Sequence, residues 1–290
     1  MKIACVIVNY NDAKTTIALL KQICDYKSLN HIIIVDNCST DNSYASLKQF
    51  ETNNIIVLQA EKNKGYGAGN NFGIKYAKDI LHCDVAIIAN PDVSFTEACV
   101  KRIARTFSED RDAAVVSAVQ LKPDGTPFYS TSWKIPSANE YIFSALFILG
   151  KLYSKLMKYA ENSSAVVDCV SGAFLAVDIN KFLSVGGYDE RIFLYCEETM
   201  LGIKLKRAGF KTLLLTDETY VHHHAVSTQK SIPSAVKRRT LLLNSRLFVL
   251  REYMNVSESK LCIAKFCYKI ALVEEAVKVF ARRFMKKFYI

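Results

Sequence analysis

Residues 3–8 (IACVIV) form an unbroken apolar, β-branched run that stops at Asn9-Tyr10-Asn11. A run this short and this apolar reads as a buried strand that delivers a polar loop. The motif recurs. Residues 14–26 carry Ile17, Leu20, Ile23 and Cys24 at helical spacing, and residues 31–35 form a second apolar run that stops at Asp36-Asn37. Residues 43–50 read as a helix, 55–58 as a third strand, 69–81 as a helix, and 85–89 as a fourth strand ending at Asn90-Pro91-Asp92. Strand and helix alternate, which predicts βαβ units and a mostly parallel sheet.

Beyond residue 101 the alternation weakens. Lys122-Pro123-Asp124-Gly125 is a turn signal of the kind found at a hairpin tip. Residues 137–160 read as helical, 166–177 as an apolar strand region broken by Ser171-Gly172, and 199–207 as a helix. Gly186-Gly187 marks a turn, and from residue 234 onward the pattern is helical. No internal repeat or low-complexity tract is present. The longest apolar stretch of the central region, 142–149, is about half of the ~18 residues a membrane span needs, and the amino-terminal run is too short for a signal-peptide core. Nine scattered cysteines include no C-x-x-C pair, which argues against a zinc ribbon and for a reducing, cytoplasmic compartment.

Several segments carry candidate chemistry. Three apolar runs stop in polar loops: Asn9/Asn11, Asp36/Asn37/Asp41 and Asn90/Asp92. In open α/β sheets, ligands bind beyond the carboxyl ends of the strands. Residues 63–73 hold four glycines ahead of a helix; such a segment lets backbone N–H groups approach an anion, though it is neither a Walker loop nor a dinucleotide fingerprint. Asp92 offers a hard cation one carboxylate. Glu197-Glu198 opens a helical stretch, where one carboxylate can serve as general base and both suit the helix dipole. In His222-His223-His224, strand alternation puts His222 and His224 on one face, and imidazole suits Mn²⁺ better than Mg²⁺.

Composition adds that a chain of 290 residues, half of them hydrophobic, is neither disordered nor collagen-like. The net charge of +10 is uneven. Residues 1–228 hold 24 basic and 24 acidic side chains, whereas 229–290 hold 14 basic and 4 acidic ones. The charge therefore belongs to the carboxyl-terminal helices, where Val277, Phe280, Phe284 and Phe288 recur at helical spacing with Lys278, Arg282 and Lys286 mainly on the other side. A basic amphipathic helix of this kind, over 268–290, fits peripheral contact with an anionic membrane as well as ordinary core packing.

VIVNYN (6–11), VDNCSTDNS (35–43), NKGYGAGNNFGI (63–74), NPDV (90–93), GAFLAV (172–177) and GGYDERIFLYCEE (186–198) occur in one order. Together they resemble the inverting glycosyltransferases of family 2, in the rhamnosyltransferase-like branch, over roughly residues 3–228. The resemblance implies a GT-A (Rossmann-like) α/β fold, a mixed and mostly parallel sheet flanked by helices, followed here by carboxyl-terminal helices. It implies a catalytic domain at 1–228, with a nucleotide-binding half at 1–100 and an acceptor half at 101–228, and a basic helical extension at 229–290.

The same resemblance implies roles for single residues. Val8 and Tyr10 would contact the nucleotide base and Asp36 the pyrimidine ring. Gly65, Tyr66 and Asn71 would line the ribose and phosphate side. Asn90-Pro91-Asp92 stands at the family's DxD-like motif, so Asp92 would bind Mg²⁺ or Mn²⁺ bridging the diphosphate, with His222 or His224 as a second ligand. The family usually has Glu-Asp and a further Asp two residues on; here those positions are Glu197, Glu198 and Met200. Glu198 thus stands where the Asp base is expected, one methylene longer. The donor would be a UDP- or dTDP-linked sugar and the acceptor a saccharide or lipid-linked saccharide of cell-surface polysaccharide synthesis. The place of action would be the cytoplasm, at the inner face of the plasma membrane. A nucleotidyltransferase and a basic nucleic-acid-binding module are the competing readings; the first gives Glu197-Glu198 no role, and nucleic acid is not the expected partner.

Overall fold

The computed structural model describes residues 1–154, 164–223 and 232–288. The chain begins β1 (Ile3–Asn9), α1 (Ala13–Ile23), β2 (His31–Asp36), α2 (Ser43–Lys48), β3 (Ile55–Gln59), α3 (Tyr66–Asp79) and β4 (Val85–Ala89). Pairing of β3, β2, β1 and β4 in that spatial order is parallel throughout. The apolar runs of the sequence are these strands. Alternate residues of β1 serve opposite faces: Ile3, Cys5 and Ile7 pack with Leu19, Leu20 and Ile23 of α1, whereas Ala4 and Val6 pack with Ile74 and Ala77 of α3.

The second half is mixed. After β5 (Val93–Phe95), α4 (Glu97–Glu109) and β6 (Ala113–Leu121), the chain passes β7 (Ser132–Trp133), β8 (Ser164–Val167) and β9 (Cys169–Val170) to β10 (Phe174–Asp178). It continues through α7 (Ile179–Ser184) and α8 (Glu197–Arg207) to β11 (Lys211–His222). β10 runs antiparallel between β4 and β6, β11 lies parallel to β6, and β5 and β8 pair antiparallel with β11. The inversion of β10 puts its amino end at the edge where β4 ends: Phe174 pairs with Ala89. The 122–125 turn sits at the end of β6, with Gly125 at φ +80°. Residues 166–177, read as one strand region, are three short strands separated by Asp168 and the Ser171–Ala173 turn.

The chain divides into two units. The first comprises residues 1–134, 159–193 and 197–227; the second comprises 135–158, 194–196 and 228–290. In the second unit, α5 (Ala138–Phe143) and α6 (Phe147–Ser154) stand where one helix was expected, and α9 (Ala235–Glu252) and α10 (Glu258–Phe288) follow. Ser137 and Glu140 form a reciprocal cap on α5. Arg246 and Tyr268 both donate to the Tyr141 carbonyl, joining α9 and α10 to α5. Among the described residues no helix is long and apolar enough to cross a membrane.

The glycine-rich segment lies mostly inside α3, which begins three residues before the predicted start. A Cβ on Gly73 would lie 2.5 Å from Val6 Cγ1 and 3.0 Å from Val35 Cγ2, so this helix seats on β1 and β2 only because residue 73 has no side chain. Gly73→Ala is expected to lower unfolding free energy in urea by about 1–3 kcal/mol. An unchanged midpoint would mean that the seam has slack.

Candidate active site

The ends of β1 and β2 are tied by their own polar side chains. Asn9 donates to Asp36 Oδ1 at 2.9 Å, the Ser39 hydroxyl to the same oxygen at 2.6 Å, and the Ser39 N–H to Oδ2 at 3.0 Å. Asp36 is fully buried, and these bonds give it the task of holding the 37–40 loop against β1. Asn11 and Thr40 exchange two further bonds across the same gap. Val8 and Tyr10 stay half-buried at this edge.

Gly65 caps α3 at φ +99°, a backbone region that favours glycine, and a Cβ there would sit 1.9 Å from the Phe193 carbonyl oxygen. Gly67 abuts Tyr188 and Gly69 abuts Val8. These glycines permit close packing of α3 against its neighbours. The Tyr66 hydroxyl donates to the Gly172 carbonyl at 2.6 Å. Asn71 is buried and clips the 188–190 segment: it donates to the Tyr188 carbonyl and Glu190, and accepts from the Tyr188 N–H. The polar atoms of Tyr66 and Asn71 are therefore engaged inside the protein, so these residues shape the site's wall. Beside them opens a cleft of about 390 Å³ with Asn37, Lys62, Lys64, Phe72, Lys75 and Glu190 among its walls. Of its lysines only Lys64 stands inside one of the ordered motifs, 63–74; Lys62 and Lys75 flank it.

Asp92 and His222 meet through strand pairing. β5 follows Asp92 directly and pairs with the end of β11, so Val93 faces His222 and the His223 N–H donates to the Asp92 carbonyl at 2.9 Å. The register of β11 on β6 slips by three residues between Leu215 and Thr219. After that bulge Tyr220 faces Gln120. The Tyr220 hydroxyl donates to Gln120 Oε1 at 2.9 Å, which turns the Gln120 amide nitrogen toward His222 Nδ1 at 3.4 Å. His222 Nε2 then lies 3.2 Å from Asp92 Oδ1, with the Asp92 side chain 3% exposed. Phe95, Phe174 and Tyr220 pack as tilted ring pairs, with centroids 4.6 and 5.0 Å apart.

A buried carboxylate beside an imidazole is a donor pair that fits a divalent cation. Among the described residues no group of three or more such side chains converges, so a cation here would draw its remaining ligands from substrate oxygens or water. His223 turns away, its Nε2 3.0 Å from the Ser94 hydroxyl. His224 lies outside the described residues.

Glu197 and Glu198 open α8, and Tyr195 and Cys196 just before them both have positive φ, +76° and +71°. Such consecutive left-handed residues store strain, about 1–3 kcal/mol each. Glu197 is buried. Glu198 Oε1 accepts from the Gly172 N–H at 3.2 Å, and a Cβ on residue 172 would lie 2.5 Å from that oxygen. The Ser171-Gly172 interruption is thus the seat of the carboxylate. Burial raises the Glu198 pKa above the usual carboxylate value of 4.5, with its own backbone N–H and that of Gly172 pulling the other way. Next door, Asn90 N–H donates to the Ala173 carbonyl at 2.8 Å. One short piece of backbone therefore brings Glu198, Tyr66 and the Asn90–Asp92 turn together.

The sequence model of glycosyl transferase family 2 matches residues 4–182. The chain is 28% identical over 212 residues to the N-acetylglucosaminyl-diphospho-decaprenol L-rhamnosyltransferase of Mycobacterium tuberculosis, covering 68% of this chain and 67% of that one. Its fold is similar to GalNAc-T7, solved with UDP, GalNAc and Mn²⁺ (TM-score 0.62, 14% identity, 97% of this chain and 57% of that one). It is also similar to the mannosyltransferase PcManGT of Pyrobaculum calidifontis, in complex with GDP-Man and Mn²⁺ (TM-score 0.60, 13% identity, 97% and 74%). The chain thus spans little more than half of GalNAc-T7.

The raised Glu198 pKa has a consequence for stability. Between the usual carboxylate value and the raised one, the folded chain holds a proton that the unfolded chain has lost, so stability falls as pH rises through that window. Glu198→Gln keeps the acceptor for Gly172 and removes the charge. In urea titrations across pH the variant is expected to be more stable than the parent at neutral pH, and the advantage to vanish below about pH 4.5. A difference independent of pH would contradict this environment for Glu198.

Proposed function

The chain belongs to glycosyl transferase family 2, and from that premise we propose that it transfers a sugar from a nucleoside diphosphate to a hydroxyl of a saccharide or lipid-linked saccharide, with inversion. The observation that carries this reading is Glu198 seated on Gly172, two peptide units from the contact that fixes the Asn90–Asp92 turn. The relative that acts on a decaprenol-linked acceptor supports the lipid-linked class and a rhamnosyl or related hexosyl donor. The proposed donor is a UDP- or dTDP-linked sugar.

In the proposed mechanism, Glu198 accepts the proton of the acceptor hydroxyl. A carboxyl with a raised pKa is a stronger base once ionised, which suits that task near neutral pH. The hydroxyl oxygen attacks the anomeric carbon from the face opposite the leaving diphosphate, so one displacement inverts the configuration. Asp92 and His222 would hold a divalent cation, Mg²⁺ or Mn²⁺, which when bound supplies charge stabilisation to the departing diphosphate. The presence of Mn²⁺ in the two similar structures supports that assignment. Gln120, held by Tyr220, keeps the Nε2 side of His222 turned to Asp92. Val8 and Tyr10 are proposed to face the nucleotide base, with Asp36, Gly65, Tyr66 and Asn71 fixing the walls around it. Residues 1–228 are proposed as the catalytic part and 229–290 as an added basic helical part.

Incubation with a panel of nucleotide sugars, Mg²⁺ or Mn²⁺ and a lipid-linked saccharide tests this. Release of nucleoside diphosphate is expected, and Glu198→Gln should lower kcat by about 10²–10⁴-fold while leaving the donor Kd in place. Release of pyrophosphate from a nucleotide substrate would instead favour nucleotidyl transfer, and an active Glu198→Gln variant would remove Glu198 as the base.

A further inference from the structure

α10 is apolar on two faces. Leu261, Ala264, Tyr268 and Ala271 are buried inside the helical unit. On another face Ile263, Phe266, Ile270, Val273, Val277 and Phe280, with Phe284 one turn beyond, recur at steps of three and four. All of them are exposed, Ile270 least at 38% and Phe280 most at 70%. The three phenylalanines, with areas of roughly 150–250 Å² each, alone leave about 300–480 Å² uncovered. That already matches the largest apolar patch of an ordinary monomer, about 300–600 Å². α6 adds to the apolar surface. The Phe147 N–H donates to Glu274 at 3.0 Å and the Lys278 ammonium lies 4.2 Å from the Phe147 ring centroid, while Phe147 and Ile148 both remain exposed.

Charge identifies the occupant. Residues 229–290 account for the chain's whole net charge, and beyond Glu275 α10 has five basic residues and no acidic one. Lys265, Lys269 and Arg282 are exposed. A parallel pairing with a second copy of α10 would set these like charges side by side, whereas an anionic bilayer offers hydrocarbon for the stripe and phosphate for the cations. We propose that α10 lies in the plane of an anionic phospholipid membrane, with the 263–284 stripe in the headgroup–acyl boundary. The inference stands on the helical unit alone and does not rest on the assignment of donor or acceptor.

Flotation of the full chain with vesicles tests it. The chain should float with phosphatidylcholine vesicles containing phosphatidylglycerol, much less with phosphatidylcholine alone, and less as salt rises. Phe266→Glu with Phe280→Glu, both at exposed positions, should lower partitioning at least tenfold with an unchanged circular dichroism spectrum. Removing one exposed cation, as in Arg282→Gln, should cost about fivefold. Equal binding to neutral and anionic vesicles, or binding that survives the double substitution, would overturn the proposal. So would absence of vesicle binding together with a dimer in solution that Phe280→Glu dissociates; the face would then belong to a second copy.

Discussion

Two consecutive residues, Gly172 and Ala173, carry the geometry of the candidate site. The Gly172 N–H holds Glu198, its carbonyl accepts from Tyr66, and the Ala173 carbonyl fixes Asn90. Each bond reaches a different part of the chain: the start of α8, the start of α3 and the turn after β4. They converge because β10 runs antiparallel in a sheet that is otherwise mostly parallel beside it. Its amino end therefore lies where the neighbouring strands finish, at the edge that open α/β sheets use for ligands. A methyl group at residue 172 would occupy the space of the Glu198 carboxylate, so that side chain would have to shift.

Around that point the sheet gives two carboxylates opposite surroundings. Asp92 faces an imidazole oriented by the buried Gln120 amide, a donor pair that suits a divalent cation. Glu198 lies where burial disfavours its charge, against Tyr66 and Tyr188, whose own hydroxyls are raised well above their usual pKa by burial.

The parallel half of the fold is legible in the sequence because β1, β2 and β4 are buried on both faces and read as unbroken apolar runs, as in residues 3–8 and 32–35, while β3 is only partly buried. The second half is harder. β11 hides its pairing behind a three-residue slip, β7, β8 and β9 are two to four residues long, and the helix expected at 137–160 breaks at Ser144–Leu146. α4 has no counterpart among the elements read from the sequence, although Thr96 caps it and Val100, Ile103 and Phe107 recur at helical spacing. Among the candidate site residues, Glu198 and Asp92 stand in ordered motifs and His222 in a run of three histidines, so their candidacy is legible in the sequence. Gln120 and Tyr220 could not, because their role arises only after the slip in β11. Gly172 left one trace, the break in an apolar stretch, but nothing near it in sequence named the carboxylate that fills the gap. The stripe on α10 was visible only as general amphipathicity; the exposure of one face and burial of another needed the fold.

The most direct test of this account is Gly172→Ala, measured by steady-state transfer and by donor-binding calorimetry on the same preparation. With Glu198 as the proposed base, a fall in kcat of about 10²-fold or more is expected, the effect of misplacing such a group by an ångström, with the donor Kd unchanged. A variant with full kcat would show that Glu198 does not need the Gly172 N–H, and would contradict the central role given to Gly172 and Ala173.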